Sequence, residues 1–305
     1  MKTINKSSTP MAVTLGKFEA MHLGHASMIE ATVEYAKSEG LNSGVLSFVP
    51  NPIQVLSDPK YKPLFTEKEM STLLADSGIN YWIPYPFSRE LAKKNPRDFC
   101  MLLKTGFNCR AILVGQSFRF GHNREGTIET LTTFGRELGM EIITVPYRLA
   151  HEAGKPGAAE KISTSQIRAF LSNGKIEEAN KLIGRPFFIV GTVQKGRQLG
   201  RSIGFPTANL HPAEDKFLPP NGVYKAKVTV GGSTYYGVTN IGTNPTVAEK
   251  QAHKAETFIF DFDEDIYGEE IMVELHTFIR PERVFKGLDE LKRQIRSDAI
   301  KCRAN

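Results

Sequence analysis

A chain of 305 residues is about twice the length of a typical domain, which predicts two folded units, each able to bury its own core. Hydrophobic residues at 40% and charged residues at 24% exclude a disordered chain, and no run approaches the roughly 18 apolar residues of a membrane span. The net charge of +6 comes from cations interleaved with acids, as in Asp289 to Arg296; small anionic molecules explain it as well as nucleic acid does, so charge alone selects neither.

Met1 to Pro10 is polar and lacks the apolar stretch of a signal peptide, so a cytoplasmic protein is expected. The cysteines Cys100, Cys109 and Cys302 are too few and too irregularly spaced for a disulfide framework or a zinc site, and read as reduced thiols.

In chain order, Met11 to Leu15 reads as a strand, His25 to Ser38 as a helix, Ser43 to Val49 as a strand and Glu67 to Ser77 as a helix. Tyr81 to Pro84 follows as a strand, Pro96 to Thr105 as a helix, Ala111 to Val114 as a strand, Thr127 to Leu138 as a helix and Glu141 to Val145 as a strand. Strands separated by helices predict a parallel sheet covered on both faces, with ligands at the carboxyl ends of its strands. His151 to Gly157 reads as a loop, and Ser165 to Asn173 and Ile176 to Ile183 as two further helices. Gly184-Arg185-Pro186 ends the helical region, which places the domain boundary between residues 184 and 185. Beyond it, Phe187 to Gln194, Gly222 to Val230, Ser233 to Ile241, Lys254 to Phe262 and Ile271 to Arg280 are strand-like without intervening helices, which argues for an antiparallel barrel closed by a helix over Leu288 to Lys301.

The richest chemistry lies in Gly196-Arg197-Gln198-Leu199-Gly200-Arg201-Ser202-Ile203-Gly204-Phe205-Pro206-Thr207-Ala208-Asn209-Leu210. Gly196, Gly200 and Gly204 let backbone approach a phosphate, and Arg197 and Arg201 add positive charge, although an ordinary exposed turn could look the same. Thr207 and Asn209 are two apart, so an extended segment presents both oxygens on one face, a sparse donor pair that suits magnesium. Glu256 interrupts an apolar strand. It is either a solvent-facing position or a general base for a hydroxyl.

These residues resemble the bacterial bifunctional riboflavin kinase/FMN adenylyltransferases, the prokaryotic FAD synthetases. The likeness is carried by the segment 196–210, by Gly222-Val223-Tyr224, by Gly237 to Val247, and by Asp261-Phe262-Asp263 with Ile266-Tyr267-Gly268. It implies a six-stranded Greek-key flavokinase barrel over 185–305 and a Rossmann-like nucleotidyltransferase domain over 1–184. It also implies ATP and riboflavin as substrates, FMN and ADP as products, and Mg²⁺ held by Thr207 and Asn209. Glu256 would act as base on the ribityl 5′-hydroxyl, the glycine-arginine loop would cover the nucleotide, and Phe205, Leu291 and Ile295 would contact the flavin. Small molecules are then the expected partners, with no nucleic acid and no membrane.

In the first half, Gly16-Lys17-Phe18-Glu19-Ala20-Met21-His22-Leu23-Gly24-His25 follows a strand and opens a helix, where paired histidines can meet a nucleotide's phosphates. His-x-Gly-His resembles the nucleotidyltransferase signature, and Ser163, Thr164 and Arg168 resemble its second signature. Family members usually carry Gly-Asn-Phe-Asp-Gly where this chain has Lys17, Glu19 and Ala20, a histidine at Asn51, and an acid at Ser117. These departures predict an adenylyltransferase activity that is weak or lost. The alternatives are a fully bifunctional enzyme making FMN and then FAD, and a flavin- or nucleotide-binding regulator without catalysis.

Overall fold

The computed structural model describes residues 1–146, 149–151, 159–196, 200, 203–244 and 252–303. Packing separates two compact units, Met1–Thr164 and Ser165–Asn305.

The first unit is a six-stranded sheet in the order β1-β4-β3-β2-β5-β6, every pair parallel. Its strands are β1 (Lys2–Thr3), β2 (Met11–Leu15), β3 (Asn42–Val49), β4 (Tyr81–Pro86), β5 (Cys109–Gly115) and β6 (Glu141–Val145). The principal helices between them are α1 (Leu23–Ser38), α2 (Pro52–Leu56), α3 (Glu67–Ala75), α4 (Arg89–Ala92), α5 (Pro96–Phe107) and α6 (Ile128–Leu138). Central strand β2 is buried along its whole length, and its alternation divides the core. Met11, Val13 and Leu15 join Phe99, Leu103 and Phe107 of α5 and Leu131 of α6. Ala12 joins Ala36 of α1 with Ala111 and Leu113 of β5.

β4 runs through Pro84 and Pro86, further than the expected end at 84. Only Tyr81 and Trp82 pair with β1, so these prolines leave no ladder bond unmade on that side. The segment expected as a loop near 150 is flanked by a two-stranded pair, β7 (Leu149–His151) and β8 (Ala159–Lys161).

Two helices, α7 (Thr164–Ser172) and α8 (Ile176–Ile183), lead into the second unit. The Asn180 side chain of α8 donates to Leu275 O and accepts from Phe187 N, which ties that helix to the barrel. Gly184 ends α8 at a φ of 83°, the left-handed turn expected there.

The second unit is a closed antiparallel barrel in the order β10-β13-β12-β11-β14-β9. Its strands are β9 (Phe187–Gln194), β10 (Ala208–Leu210), β11 (Gly222–Val230), β12 (Ser233–Asn244), β13 (Ala252–Ile259) and β14 (Glu270–Pro281). Phe187, Ile189, Leu210, Tyr224, Ala226, Val228, Ile241, Ala255, Val273 and Leu275 fill its interior. Thr239 and Thr257, buried on adjacent strands, satisfy one another at 2.9 Å between hydroxyls. The closing helix α9 (Leu288–Arg303) seats Cys302 against Val223, Val238 and Phe260. Buried Asp298 of α9 receives Arg280 of β14 through Nε and Nη2, the latter at 2.7 Å.

Candidate functional sites

The barrel site begins with β10, three residues long and paired on both sides: Asn209 lies opposite Gln194 of β9 and opposite Glu256 of β13. Glu256 in turn faces Asn240 of β12. The register of three strands therefore brings the expected base level with one expected metal ligand.

These side chains line a cavity of about 600 Å³, whose walls also include Gly196, Gly200, Phe205, Thr207, Leu291 and Ile295. Thus Glu256, the Thr207–Asn209 pair, two loop glycines and the three expected flavin contacts share one chamber. Gly204 is not part of its wall and forms a turn at a φ of 85°. Arg197 and Arg201 lie outside the described residues.

Two of these glycines are in close contact with the site, Gly200 with backbone and Gly196 with a side-chain end. A Cβ at Gly196 would stand 2.7 Å from Asn209 Nδ2, and one at Gly200 would stand 2.3 Å from the Phe205 carbonyl oxygen. Both are closer than van der Waals contact permits, so the loop is folded onto the residues expected to hold metal and flavin. Asn209 Nδ2 donates to Thr207 O at 3.1 Å, which leaves its side-chain oxygen available as an acceptor. Phe205 packs edge-on against Phe258 with centroids 5.3 Å apart.

Sequence reasoning missed the second ring of polar groups. Lys254 Nζ contacts Glu256 Oε1 at 2.8 Å. Asn240 Nδ2 donates to Glu282 Oε1 at 3.1 Å, and both residues line the cavity. Lys254 was legible in principle, because i and i+2 on a strand share a face. Glu282 was not, since it follows β14 and meets Asn240 only through barrel closure.

In the first unit, His22 caps α1 and its Nδ1 accepts the His25 amide at 3.3 Å. The two imidazoles stack at 3.7 Å between centroids with 14° between planes. Burial pushes His22 down to about 4 and His25 well below its ordinary value, and the Lys161 ammonium adds to both shifts. The pair is therefore neutral at pH 7, and Lys161 is a nearby cation that sequence reasoning overlooked. Lys161 Nζ also donates to Ser117 Oγ at 2.8 Å.

Two of the altered positions, Glu19 and Asn51, are joined. Asn51 Nδ2 donates to Glu19 Oε2 at 2.9 Å, and the Tyr61 hydroxyl donates to Glu19 Oε1 at 2.7 Å. Ala20 is fully buried and does not adopt a positive φ, so its methyl presents no surface to a ligand. Phe18 and Met21 carry the left-handed backbone of this turn instead, at φ of 47° and 40°. Ser163 follows β8 after Ile162, Thr164 begins α7, and Arg168 sits further along α7 in the second unit with its guanidinium 4.7 Å from the centre of the Phe217 ring.

A family model described as riboflavin kinase matches residues 183–305, and one described as FAD synthetase matches residues 4–155. With the closed barrel and the parallel-sheet unit, these matches define a two-module protein of flavin nucleotide formation. The bifunctional riboflavin kinase/FMN adenylyltransferase of Bacillus subtilis is 35% identical over 300 residues, covering 97% of this chain and 92% of that one. Its counterpart in Escherichia coli K12 is 34% identical over 305 residues, covering 98% and 95%. A solved structure titled as a macrolide-efflux protein from Streptococcus pneumoniae superposes with a TM-score of 0.85 at 28% identity, covering 99% of this chain and 98% of that one. The chain belongs to the bifunctional riboflavin kinase/FMN adenylyltransferase family. Among the described residues no helix is long and apolar enough to cross a membrane.

Proposed function

We propose that the C-terminal module transfers the terminal phosphate of ATP to the 5′-hydroxyl of riboflavin, giving FMN and ADP. The observation that carries this reading is the strand register that sets Glu256 opposite Asn209 in the cavity shared with Thr207 and Phe205. Glu256 accepts the hydroxyl proton, the freed oxygen attacks the terminal phosphorus in line, and ADP departs with the electrons of the broken P–O bond. The backbone at Gly196 and Gly200 admits the phosphates closely. Phe205, Leu291 and Ile295 supply apolar surface for the isoalloxazine ring.

Thr207 and Asn209 are the residues that would hold Mg²⁺. Their neutral oxygens suit a hard cation that takes its remaining ligands from phosphate and water, and among the described residues no cluster of three or more His, Cys, Asp or Glu offers an alternative. When bound, the ion supplies charge neutralisation at the phosphates.

The departures at Lys17, Glu19, Ala20, Asn51 and Ser117 support weak or lost adenylyltransferase activity in the N-terminal module. One observation favours the second reading, in which that module still joins FMN to the adenylyl group of ATP. Glu19 and Asn51 are hydrogen-bonded to each other, and the neutral His22–His25 stack stands at a helix N-terminus with Lys161 close by. Product analysis separates the readings. Riboflavin, ATP and magnesium give FMN in both; FAD accumulates only if the N-terminal module is active. Absence of FMN formation would overturn the kinase assignment itself.

A further inference from the structure

Lys254 and Glu256 form an ion pair between two residues of one strand, both on the cavity wall. The contact is 2.8 Å, from Nζ to Oε1, with side-chain exposures of 22% and 33%. An ion pair this accessible contributes little to stability, so its consequence is geometric. The second carboxylate oxygen, Oε2, has no hydrogen-bond partner among the described residues. The other acids on the wall, Glu282 and Asp298, are engaged by Asn240 and by Arg280.

From this arrangement we propose that Lys254 is a positioning residue for phosphoryl transfer: it grips one oxygen of Glu256 and so turns the other toward the substrate hydroxyl. The proposal rests on the reading of Glu256 as the base. A carboxylate on three rotatable bonds samples orientations that miss the hydroxyl, and pinning one oxygen removes most of them. The proton then passes from the 5′-hydroxyl to Oε2. The oxygen's electron pair forms the new O–P bond, and the bond to ADP breaks with its electrons leaving on ADP. Lys254 neither gains nor loses a proton in this step. It acts through Glu256 alone and makes no contact with the phosphates.

The test is a double-mutant cycle on the full chain, measuring FMN formation for wild type, Lys254→Met, Glu256→Gln and the combined variant. Methionine keeps most of the apolar stem, and thermal unfolding of each protein checks that the barrel is intact. The expected result is a kcat about tenfold lower in Lys254→Met with KM for ATP unchanged, a size suited to a misdirected rather than absent base. Lys254→Arg, which keeps the cation, recovers most of that loss. In the Glu256→Gln background, removing Lys254 has no further effect. A wild-type kcat in Lys254→Met overturns the proposal, as does an added loss in the combined variant or a raised KM for ATP, either of which marks direct contact with nucleotide. Wild-type turnover in Glu256→Gln is a separate failure, of the base assignment itself.

Discussion

The two sites of this chain are built in opposite ways. In the barrel, the expected functional residues sit on or next to paired strands, and neighbours missed in the sequence satisfy the polar groups around them, Lys254 at Glu256 and Asn240 at Glu282. In the parallel-sheet unit they sit at turns and helix starts beyond strand ends, and two of the residues that depart from the family pattern, Glu19 and Asn51, bond to each other, with Tyr61 also donating to Glu19. Taken singly each departure suggests damage, whereas the Glu19–Asn51 hydrogen bond makes two of them a local pair.

The largest effect that could break the comparison is at Glu256. Alanine there should lower the rate of FMN formation by about 10²–10⁴-fold, the range typical of a general base, measured under saturating riboflavin and ATP. Asn209→Ala comes next: the magnesium concentration for half-maximal rate should rise about tenfold or more, as expected when a ligand group is lost. An unchanged titration would remove Asn209 from the metal site.

Much of the barrel site was legible before any coordinates. Thr207 and Asn209 share a face because an extended chain alternates, and glycine spacing marked the loop that lines the cavity at Gly196 and Gly200. What could not be read was the pairing, since Asn209 lies opposite Glu256 only because the short β10 inserts between β9 and β13. In the first unit the alternation of strands and helices gave the sheet, and His22 and His25 were marked by their position. The Glu19–Asn51 bond joins residues 32 apart in the chain, and no local pattern announces it. The two helices before Gly184 read as part of the first domain because they continue its helical texture, yet the Asn180 side chain bonds to β14 and to Phe187.

A stability measurement sharpens the comparison on the barrel side. Asp298→Ala leaves the Arg280 guanidinium without its buried partner, and should lower unfolding free energy by about 2–3 kcal/mol, discounted because Arg280 is partly exposed. On the other side, a double-mutant cycle with Glu19→Gln and Asn51→Ala should show a coupling energy of about 1 kcal/mol. Strict additivity would mean that the two departures are independent after all.

The last effect concerns acid. Burial lowers His22 to about 4 from 6.5, so the unfolded chain binds its proton first as pH falls. The resulting stability is complete above pH 6.5 and is lost progressively between 6.5 and about 4, and His25, also lowered by burial, acts in the same direction. His22→Gln should flatten that part of the unfolding curve, followed by circular dichroism against denaturant.

The most direct test is a crystal structure of the chain with riboflavin, magnesium and a non-hydrolysable ATP analogue. The account predicts a Glu256 oxygen within hydrogen-bonding distance of the ribityl 5′-hydroxyl, with that hydroxyl in line with the terminal phosphate and Thr207 and Asn209 facing the metal. A flavin seated outside the barrel cavity, or a Glu256 carboxylate turned away from that hydroxyl, would contradict it.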